Sequence, residues 1–511
     1  MLKRLLRQLL GARAASGAEL VARGRAERER GEFAASRASL EAALEFDAGD
    51  AATLIELGLS YRALGRRDEA RAAFERAVAG DAGSALALMY LGNLDHEAGQ
   101  LDDAAKAYRA ALALDAKNAA VHYNLALTLM ALGEASAAVE SFRLCLAQAP
   151  DYADARSSML FALNLSERAG VEEIAAEHFE WGRRIADPLW RERGFSNPPE
   201  AERRLHIGYV SADFFGHVAA DFIHSFLPRH DRGHCQITCY CNAAIPEADR
   251  DLHGHTWRDI AGVGDAQAAS LIEQDAIDVL VDLSGHSRGN RLLVFARRPA
   301  PLQMTFLGYP NTTGMRAMDY RLTDAYADPP GASERRYRER LLRLPHGLWC
   351  YRPPVDGVPE AGPLPASRKG HVTFASMNNV AKLNPGLVGL WADLLRRVAD
   401  ARLILATVAP GSARERILRT FTGKGIDAQR IEFRGRLPRD EFLALHNEVD
   451  IALDSFPCNG GATTCATLWQ GVPVISLAGE AFQSRAGLSL LSSAGLPQLV
   501  AHSAADYLDI A

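Results

Sequence analysis

A glycine recurs at intervals of 34 residues in the first part of the chain. These glycines, each in a short turn between two segments of helical apolar spacing, are Gly31, Gly65, Gly99 and Gly133. Two sets of small residues and one set of aromatic residues share the interval: Gly24, Gly58, Gly92 and Ala126; Ala70, Ala104 and Ala138; Phe74, Tyr108 and Phe142. Small residues where helices cross, with an aromatic residue one turn further on, are typical of tetratricopeptide repeats. The pattern predicts four such repeats over residues 17–152, with residues 1–16 as a capping segment.

One helical pair of this kind cannot bury its apolar face, so neighbouring pairs stack into a curved α-solenoid. The concave side of such a solenoid commonly binds a peptide or a protein, and we expect a protein partner or substrate along it. Two alternatives stay open at this point. The solenoid could only shield the following domain, or it could join two copies of the chain in a homodimer.

The composition of the 511 residues excludes several classes of protein. Hydrophobic residues make up 48%, charged residues 23%, and the formal net charge is -6, as in an ordinary soluble globular protein and unlike a nucleic-acid binder. No apolar segment approaches the roughly 20 residues that a membrane span needs, and the basic start lacks a secretory apolar core with a cleavage site. These features predict a cytoplasmic protein without a membrane span.

The seven cysteines do not suggest a disulfide framework in so long a chain. Their one cluster, HCQITCYC, has a spacing that resembles metal ligands. Cys235, Cys239 and Cys241 nevertheless fall on alternate positions of a strand-like segment, which favours packing in a core. Since no second ligand pair accompanies them, we expect no metal site.

After the repeats, residues 153–200 have the pattern of a helical connector that ends in the Pro-containing, charged stretch FSNPPEAERR. Short apolar strands then alternate with helical segments, first in residues 201–350 and again in residues 371–511. The stretch YRPPVDGVPEAGPLPASRKG predicts a linker between them at residues 351–370. Such alternation is typical of parallel sheets with crossover helices, so we expect two doubly wound, Rossmann-like domains. Ligands of these sheets bind outside the carboxyl ends of the strands.

Polar residues and glycines follow most of the predicted strands. In the first domain they are Ser211, Asp213, Gly216, His217, Asp282, His286 and the stretch LGYPNTTG at 307–314. In the second domain they lie in SMNNVAKLNP, GRLPRDEF and DSFPCNGGATTCATLW. A shared binding site explains this distribution more economically than many independent turns.

The stretch DSFPCNGGATTCATLW joins a buried strand to a helix through two adjacent glycines. A helix start leaves N–H groups unpaired and carries partial positive charge, so we expect an anion, most often phosphate, near Gly460 and Gly461. Lys382 follows an earlier strand and would add a positive charge facing the cleft. Together they would neutralise a diphosphate without a metal ion. The alternatives are an ordinary turn and a solvated lysine.

Five motifs follow one another behind the tetratricopeptide repeats. They are GYVSADFFGH, VDLSGHSRGN, RPAPLQMTFLGYPNTTG, SMNNVAKLNP and LDSFPCNGGATTCATLWQGVPVISLAGEAFQSRAGLSLL. In this order they resemble the O-linked N-acetylglucosamine transferase family, including its bacterial and SPINDLY-like members. The resemblance covers about residues 17–511. It implies a GT-B fold and an inverting, metal-independent transfer of N-acetylglucosamine from UDP-N-acetylglucosamine to a protein Ser or Thr hydroxyl. It implies no cofactor.

The resemblance also implies roles for individual residues. Lys382 would hold the donor diphosphate and stabilise the leaving nucleotide, and His217 is the candidate general base. The residues implied to contact the nucleotide sugar are Asn379, Lys382, Leu437, Arg439, Gly460, Gly461, Thr463, Thr464, Leu307 and Gly308. Among these, residues 437–439 would read the base, and residues 461–464 would offer backbone and hydroxyl donors to the phosphates.

Three departures from the family pattern bear on the donor. Ala462 replaces a hydroxyl residue, Ala466 replaces an acid that contacts the ribose, and Phe442 stands where some relatives have histidine. Loss of the carboxylate removes a hydrogen bond worth roughly 1.5–3 kcal/mol. Two further hypotheses therefore stay open: a protein O-fucosyltransferase that uses GDP-fucose, and a catalytically impaired protein that binds partners through its repeats.

Two other departures concern the ends of the resemblance. The chain stops at AADYLDIA, where relatives usually continue with further helices, which leaves open a fragment or an incompletely supported catalytic part. The family's concave ladder of asparagines is nearly absent, because Asn124 alone occupies a matching position and Ala22, Glu56 and Tyr90 occupy the others. We therefore do not expect that ladder to clamp a peptide backbone.

Overall fold

The computed structural model describes residues 15–81, 83–192, 194–200, 202–250, 252–353 and 359–511. The predicted capping segment lies almost entirely outside these ranges. The chain divides into two compact units. One contains the residues up to 129 together with 143–150, and the other contains 130–142 and the residues from 151 onward.

The repeats are formed by helices in pairs that follow the predicted interval. These helices are α1 Gly17–Glu29, α2 Phe33–Leu44, α3 Ala51–Ala63, α4 Arg67–Gly80, α5 Ala85–Glu97, α6 Leu101–Leu114, α7 Ala119–Ala131 and α8 Ala135–Gln148. A Cβ atom at Gly58 would lie 2.4 Å from the ring of Phe74, and one at Gly92 would lie 2.7 Å from the ring of Tyr108. Each aromatic ring thus packs on bare helix backbone, as the pattern of small and aromatic residues predicted.

The glycines that define the interval connect the two helices of each pair. Gly31, Gly65, Gly99 and Gly133 have φ angles between +73° and +80°. Residues with a side chain are strained in this left-handed region, whereas glycine adopts it freely. The prediction that these glycines occupy turns is confirmed, and the turn conformation explains why glycine recurs there.

Two helices connect the repeats to the sheets. They are α9 Ala153–Leu165 and α10 Val171–Trp181, and a π-helical turn at Gly182–Ala186 follows α10. At this turn, a Cβ atom on Gly182 would lie 1.7 Å from the carbonyl oxygen of Gly314. Glycine therefore lets the end of the connector lie directly against a loop of the first Rossmann-like domain.

The first Rossmann-like domain contains a seven-stranded sheet with the order β3-β2-β1-β4-β5-β6-β7. Its strands, all paired in parallel, are β1 Leu205–Ser211, β2 Cys235–Cys241, β3 Thr256–Asp259, β4 Val279–Asp282, β5 Leu302–Thr305, β6 Tyr320–Asp324 and β7 Arg340–Leu344. The helices between them are α11 Ala220–Phe226, α12 Asp265–Gln274 and α13 Leu292–Ala296. Strand order reverses between β1 and β4, so the loop after β1, which carries Asp213 and His217, lies at the switch point where such sheets bind ligands.

The second Rossmann-like domain contains a six-stranded parallel sheet with the order β10-β9-β8-β11-β12-β13. Its strands are β8 Thr373–Ser376, β9 Arg402–Leu405, β10 Ile431–Phe433, β11 Ile451–Leu453, β12 Val474–Leu477 and β13 Val500–Ala501. Its helices are α14 Pro365–Lys369, α15 Pro385–Arg397, α16 Ser412–Gly423, α17 Arg439–Ala444, α18 Ala462–Trp469, α19 Ala486–Ser493 and α20 Ala504–Ile510. The switch point lies between β8 and β11, which are followed by Lys382 and by the glycine turn.

Both faces of the second sheet are covered. Phe374 of β8 belongs to a buried cluster that includes Trp391, whereas its neighbour Ala375 belongs to a second cluster that includes Ile404. Successive strand residues point to opposite faces, so these two clusters lie on opposite sides of the sheet. This explains why the strands contain nearly continuous apolar residues.

The cysteine cluster is part of the core. Cys235, Cys239 and Cys241 are buried on β2 and pack in a cluster that includes Tyr209 and Val281. Throughout the described residues, no group of three or more His, Cys, Asp or Glu side chains is arranged to hold a metal ion. Likewise, none of the described helices combines the length and apolar character that crossing a membrane requires.

Candidate active site

The turn between β11 and α18 is folded around the carboxylate of Asp454. This buried side chain accepts hydrogen bonds from the backbone N–H of Ser455 at 2.8 Å and of Gly460 at 2.7 Å. The hydroxyl of Ser476 donates to its other oxygen at 2.6 Å. Burial raises the pKa of the Asp454 carboxyl, and these donors and the nearby Lys382 oppose that shift. The carboxylate thereby fixes the turn that leads into the N-terminus of α18.

The two glycines of this turn meet different surroundings. A Cβ atom at Gly460 would lie 2.5 Å from Oγ1 of Thr464 and 2.7 Å from Oγ1 of Thr463, so no larger residue fits there without displacing the turn. A Cβ atom at Gly461 would first meet the ring of Trp349, at 3.5 Å. The start of α18 is therefore compact around Gly460 and has an aromatic wall beside Gly461.

Lys382 ends a single turn of 3₁₀-helix, Val380–Lys382, that follows β8. Its Nζ donates a hydrogen bond to the carbonyl oxygen of Asn459 at 2.6 Å. The ammonium group therefore lies against the residue that precedes Gly460, at the start of α18. The fold brings together the lysine and the glycine turn, which the sequence separates by more than seventy residues.

The asparagine that faces this turn is Asn378, whereas the resemblance implies its neighbour Asn379. Asn378 is buried, and its amide donates to Asp454 at 3.4 Å. Asn379 is exposed, and its side-chain oxygen accepts the N–H of Ala381 at 2.9 Å, which caps the 3₁₀ turn. A contact between Asn379 and a diphosphate thus stays a prediction, whereas the cap that precedes Lys382 is present in the structure.

The hydroxyl of Thr463 already makes a hydrogen bond within the site. Oγ1 of Thr463 donates to Oδ1 of Asn378 at 3.1 Å. Because the Asn378 amide nitrogen faces the carboxylate of Asp454, its oxygen must be the group that accepts from Thr463. The Thr463 proton is therefore already engaged, and Thr464 is buried beside Gly460. Backbone N–H groups at the start of α18 remain the natural donors to an anion.

The turn predicted to read the base reaches the first Rossmann-like domain. Nη2 of Arg439, the first residue of α17, lies 2.9 and 3.0 Å from the carboxylate oxygens of Asp221 on α11. Leu437 packs against an apolar cluster together with Phe442, whose ring meets His446 edge-on at 5.3 Å. The histidine expected at position 442 in some relatives is thus replaced by a packed aromatic ring.

Leu307 and Gly308 lie in the loop that follows β5. Leu307 has a φ of +71°, and a Cβ atom at Gly308 would lie 1.8 Å from the carbonyl oxygen of Leu283. Leu307 packs on an apolar cluster to which both domains contribute. The members of that cluster are Phe222, Cys465, Leu490, Leu307, Trp349, Tyr351 and Ala462. The predicted sugar-contacting turn and the first turn of α18 therefore share one apolar cluster.

His217 lies in the loop between β1 and α11 and forms a pair with Asp213. Its side chain is 52% exposed, and its Nδ1 lies 3.7 Å from Oδ1 of Asp213. The same Nδ1 accepts the N–H of Ala219 at 3.3 Å, so neutral His217 carries its proton on Nε2. Burial raises the pKa of the Asp213 carboxyl, and His217 opposes that shift. Two groups that can take a proton from a hydroxyl thus lie together at the switch point.

The other strand-end residues of the first domain support the loops from behind. Asp282 and His286, which the sequence predicts in the shared site, are both buried. Asp282 accepts the N–H of Gly285 at 2.9 Å and the hydroxyl of Thr305 at 2.7 Å. The ring of His286 packs against Trp181 of α10 at 4.6 Å between centroids. The expectation is corrected: these residues brace the site through their buried contacts.

The residues that the sequence analysis missed are Asn378, Asp454, Asp221 and Trp349. Asp454 carried a recognisable signal, because a carboxylate at the end of a buried strand directly precedes the glycine turn. Asp221 and Trp349 carried none, since their partners Arg439 and Gly461 are distant in sequence.

A model of the family described as "Glycosyl transferase family 41" matches residues 152–351 and 364–511, well over half of the chain. The chain belongs to glycosyl transferase family 41. Models of tetratricopeptide repeats match residues 21–85, 55–99, 92–133 and 119–152.

The relatives of this chain include plant proteins named "Probable UDP-N-acetylglucosamine--peptide N-acetylglucosaminyltransferase SPINDLY". The one from Oryza sativa subsp. japonica is 37% identical over 389 residues, which are 73% of this chain and 41% of that protein. The one from Arabidopsis thaliana is 36% identical over 379 residues, 71% of this chain and 40% of that protein. The chain thus spans about two fifths of the length of these relatives.

A solved structure supports the fold described above. A mutant of the Thermobaculum terrenum O-GlcNAc transferase matches with a TM-score of 0.83 and 36% identity, over 91% of this chain and 89% of that chain. The prediction of tetratricopeptide repeats followed by two Rossmann-like domains is confirmed.

Proposed function

We propose that this family 41 chain transfers N-acetylglucosamine from UDP-N-acetylglucosamine to Ser or Thr hydroxyls of proteins. The observation that carries the proposal is the position of Lys382, whose Nζ lies 2.6 Å from the carbonyl oxygen of Asn459 at the start of α18. A cation and a helix N-terminus meet there at a glycine turn, an arrangement suited to a diphosphate. The names of the plant relatives support a UDP-sugar donor and a peptide acceptor.

The proposed chemistry is an inverting displacement. The acceptor oxygen attacks the anomeric carbon as the bond from that carbon to the diphosphate oxygen breaks, and the hydroxyl proton passes to the protein. Negative charge grows on the departing diphosphate, where Lys382 and the N–H groups of α18 stabilise it. These groups supply the positive charge that a metal ion would otherwise supply, so we propose that the reaction needs neither a metal nor a cofactor.

The pair of Asp213 and His217 is the proposed proton acceptor. His217 is accessible, and the carboxylate of Asp213 lies 3.7 Å from its Nδ1. In the proposed step Nδ1 turns from the N–H of Ala219 and takes the proton of the acceptor hydroxyl, while the carboxylate of Asp213 stabilises the cation that forms. Loss of either side chain should lower the rate of transfer more than it lowers the affinity for the nucleotide.

The repeats are the proposed binding surface for the protein acceptor. The single asparagine at a ladder position, Asn124, already donates its amide to Asn93 at 2.9 Å. The repeats would therefore bind the acceptor by means other than an asparagine ladder. A homodimer through the repeats stays a prediction.

We also propose a cytoplasmic location. All seven cysteines lie within the described residues as free thiols, including three on β2 and two beside the glycine turn. Free thiols persist in reducing compartments. The proposal thus combines a cytoplasmic enzyme, a nucleotide-sugar donor and a protein acceptor.

The test is mass spectrometry of proteins from a host-cell extract after incubation with the purified chain and either UDP-N-acetylglucosamine or GDP-fucose. We expect N-acetylhexosamine on Ser or Thr with the first donor, no deoxyhexose with the second, and unchanged transfer with a metal chelator. Lys382→Ala should abolish transfer, whereas Lys424→Ala, which removes a lysine paired with Asp393 elsewhere in the same domain, should not. Transfer of fucose alone would overturn the donor. No transfer from either donor would favour a partner-binding protein without catalytic activity.

A further inference from the structure

The fourth repeat glycine differs from the other three in what surrounds it. Gly31, Gly65, Gly99 and Gly133 share the left-handed conformation, with φ values of +80°, +73°, +76° and +76°. A Cβ atom at any of the first three would have no described atom within 4 Å. At Gly133 the same atom would lie 2.6 Å from the carbonyl oxygen of Val380. One repeat turn out of four is therefore packed against another part of the chain.

The residue that this turn meets belongs to the lysine turn of the site. Val380 begins the 3₁₀ turn that Lys382 ends, and its carbonyl oxygen accepts the N–H of Leu383 at 2.9 Å. A displacement of Val380 would move the backbone that carries Lys382. Since Gly133 and Val380 both lie in the second compact unit, this contact is internal to that unit.

An arginine of α16 ties the two turns together. Nη2 of Arg416 donates to the carbonyl oxygen of Leu132 at 2.6 Å, and its Nη1 lies 3.0 Å from the carboxylate of Glu134. The Arg416 and Glu134 side chains are 25% and 30% exposed, so solvent screens this pair only in part. The Arg416 guanidinium, on a helix of the second Rossmann-like domain, thus bonds to the residues on both sides of Gly133.

The repeat also supports the other partner of the lysine. Ala135, the first residue of α8, is buried in a cluster with Leu165 and Cys458, and Ala381 packs against that cluster. Cys458 precedes Asn459, whose carbonyl oxygen accepts the hydrogen bond from Lys382. Both ends of the bond between Lys382 and Asn459 therefore rest on residues of the fourth repeat.

We propose that the turn of residues 132–134, together with Arg416, is a positioning element for Lys382. This inference rests on the proposed function, because it assumes that Lys382 holds a diphosphate. In this role residues 132–134 do not contact a substrate. They hold the 3₁₀ turn Val380–Lys382 in the position that places Nζ of Lys382 beside the start of α18. The catalytic lysine of this chain is thus held partly by its last tetratricopeptide repeat.

The other repeat glycines provide a matched control. Gly133→Ala and Gly99→Ala introduce the same methyl group at the same φ of +76°, so both carry the same conformational strain. Only the first also drives a methyl group into the lysine turn. Both variants should lose thermal stability from the strain, and Gly133→Ala should lose more because of the contact with Val380. We expect Gly133→Ala, and not Gly99→Ala, to lower kcat by at least about tenfold, because displacements of about 1 Å at a reacting site cost that much or more.

A second pair of variants avoids backbone strain. Arg416→Gln removes the grip on the turn, whereas Arg419→Gln removes an exposed arginine of the same helix, 72% exposed and paired within α16. We expect Arg416→Gln to weaken UDP binding in calorimetry and to lower kcat while the KM for an acceptor peptide changes little. Arg416→Lys should restore part of the loss, and Arg419→Gln should resemble the wild type.

The variant Lys382→Ala separates this inference from the proposed function. If Gly133→Ala and Arg416→Gln act through the lysine, neither should weaken UDP binding further in a Lys382→Ala background, where transfer is already lost. The inference is overturned if Gly133→Ala matches Gly99→Ala and Arg416→Gln matches Arg419→Gln in both kcat and UDP affinity while Lys382→Ala abolishes transfer. If Lys382→Ala itself leaves transfer and UDP binding unchanged, the proposed function fails first and the positioning role fails with it.

Discussion

Acid should destabilise the second compact unit, residues 130–142 and 151–511, through His178. This histidine lies in α10 and is fully buried. Its Nδ1 donates to the carbonyl oxygen of Ile174 at 2.6 Å, so its Nε2 must accept the hydroxyl proton of Tyr309 at 2.8 Å. Protonation of Nε2 would place two donors against each other. Burial lowers the pKa of His178 to about 4, and the nearby Arg321 acts in the same direction while the bond to Ile174 opposes it.

The sign and size of the effect follow from linkage. In the unfolded chain the pKa of a histidine is about 6.5, so the unfolded state binds the proton first as the pH falls. Neutral His178 makes its full contribution to the free energy of unfolding above the unfolded-state pKa. This contribution is lost progressively as the pH falls toward the folded-state pKa near 4. At a pH of about 5 the loss amounts to about 2 kcal/mol. Burial also lowers the pKa of His286, which acts in the same direction.

Urea unfolding at about pH 8 and about pH 5 measures this loss, because the two conditions lie on opposite sides of the unfolded-state pKa. Tryptophan fluorescence is a suitable signal, since Trp181 packs 4.6 Å from the ring of His286. Between the two conditions the free energy of unfolding should fall by about 2 kcal/mol more in the wild type than in His178→Gln. The glutamine amide can replace both hydrogen bonds of the histidine but does not titrate. His234→Gln, at an 84% exposed position, is the control and should behave as the wild type. Equal losses in the wild type and His178→Gln would refute the reasoning.

Three further outcomes are expected. Gly92→Ala would place a methyl group 2.7 Å from the ring of Tyr108 and should destabilise the repeats by about 1–3 kcal/mol in thermal unfolding; an unchanged melting temperature would contradict the packing. Asp454→Asn removes a charged acceptor from the glycine turn, which is worth roughly 1.5–3 kcal/mol, and should weaken UDP binding at least about tenfold in calorimetry. Full affinity would exclude that role. Asp221→Asn frees Arg439 from an exposed ion pair worth at most about 1 kcal/mol, so UDP affinity at low salt should rise, by no more than about fivefold. A fall in affinity would show that the pair supports the site.

Local patterns made much of the fold predictable. The 34-residue interval identifies the repeats because each repeat reuses one set of contacts, such as the ring of Phe74 on the bare backbone of Gly58. Alternating strands and helices predict the parallel sheets, and strand order then places Lys382 and the glycine turn at one switch point. These inferences depend on spacing within a few tens of residues, which the sequence displays directly.

The choice of partners between distant segments was not predictable in the same way. Asn378 and Asn379 are neighbours of the same chemical type, and only the path of the chain after β8 decides that Asn378 faces Asp454. The pairing of Arg439 with Asp221 joins residues of two different domains. A single sequence contains no signal for such contacts, because they depend on how separate elements pack.

The buried position of His286 illustrates the same limit. A polar residue that follows a strand marks a turn, but it does not show whether its side chain points into the cleft or toward a neighbouring helix. His286 points to the connector, where its ring meets Trp181 and its Nδ1 lies 3.1 Å from Oγ of Ser157. His217 follows its own strand in a similar way and remains half exposed.

A crystal structure of the chain with UDP tests the central claim most directly. We expect the diphosphate within hydrogen-bond distance of Lys382 Nζ and of the backbone N–H groups that begin α18, with Nζ turned from the carbonyl oxygen of Asn459 toward the phosphates. The base should lie beside the turn of residues 437–439. UDP bound elsewhere, or bound in the cleft with its phosphates away from Lys382 and α18, would contradict the account.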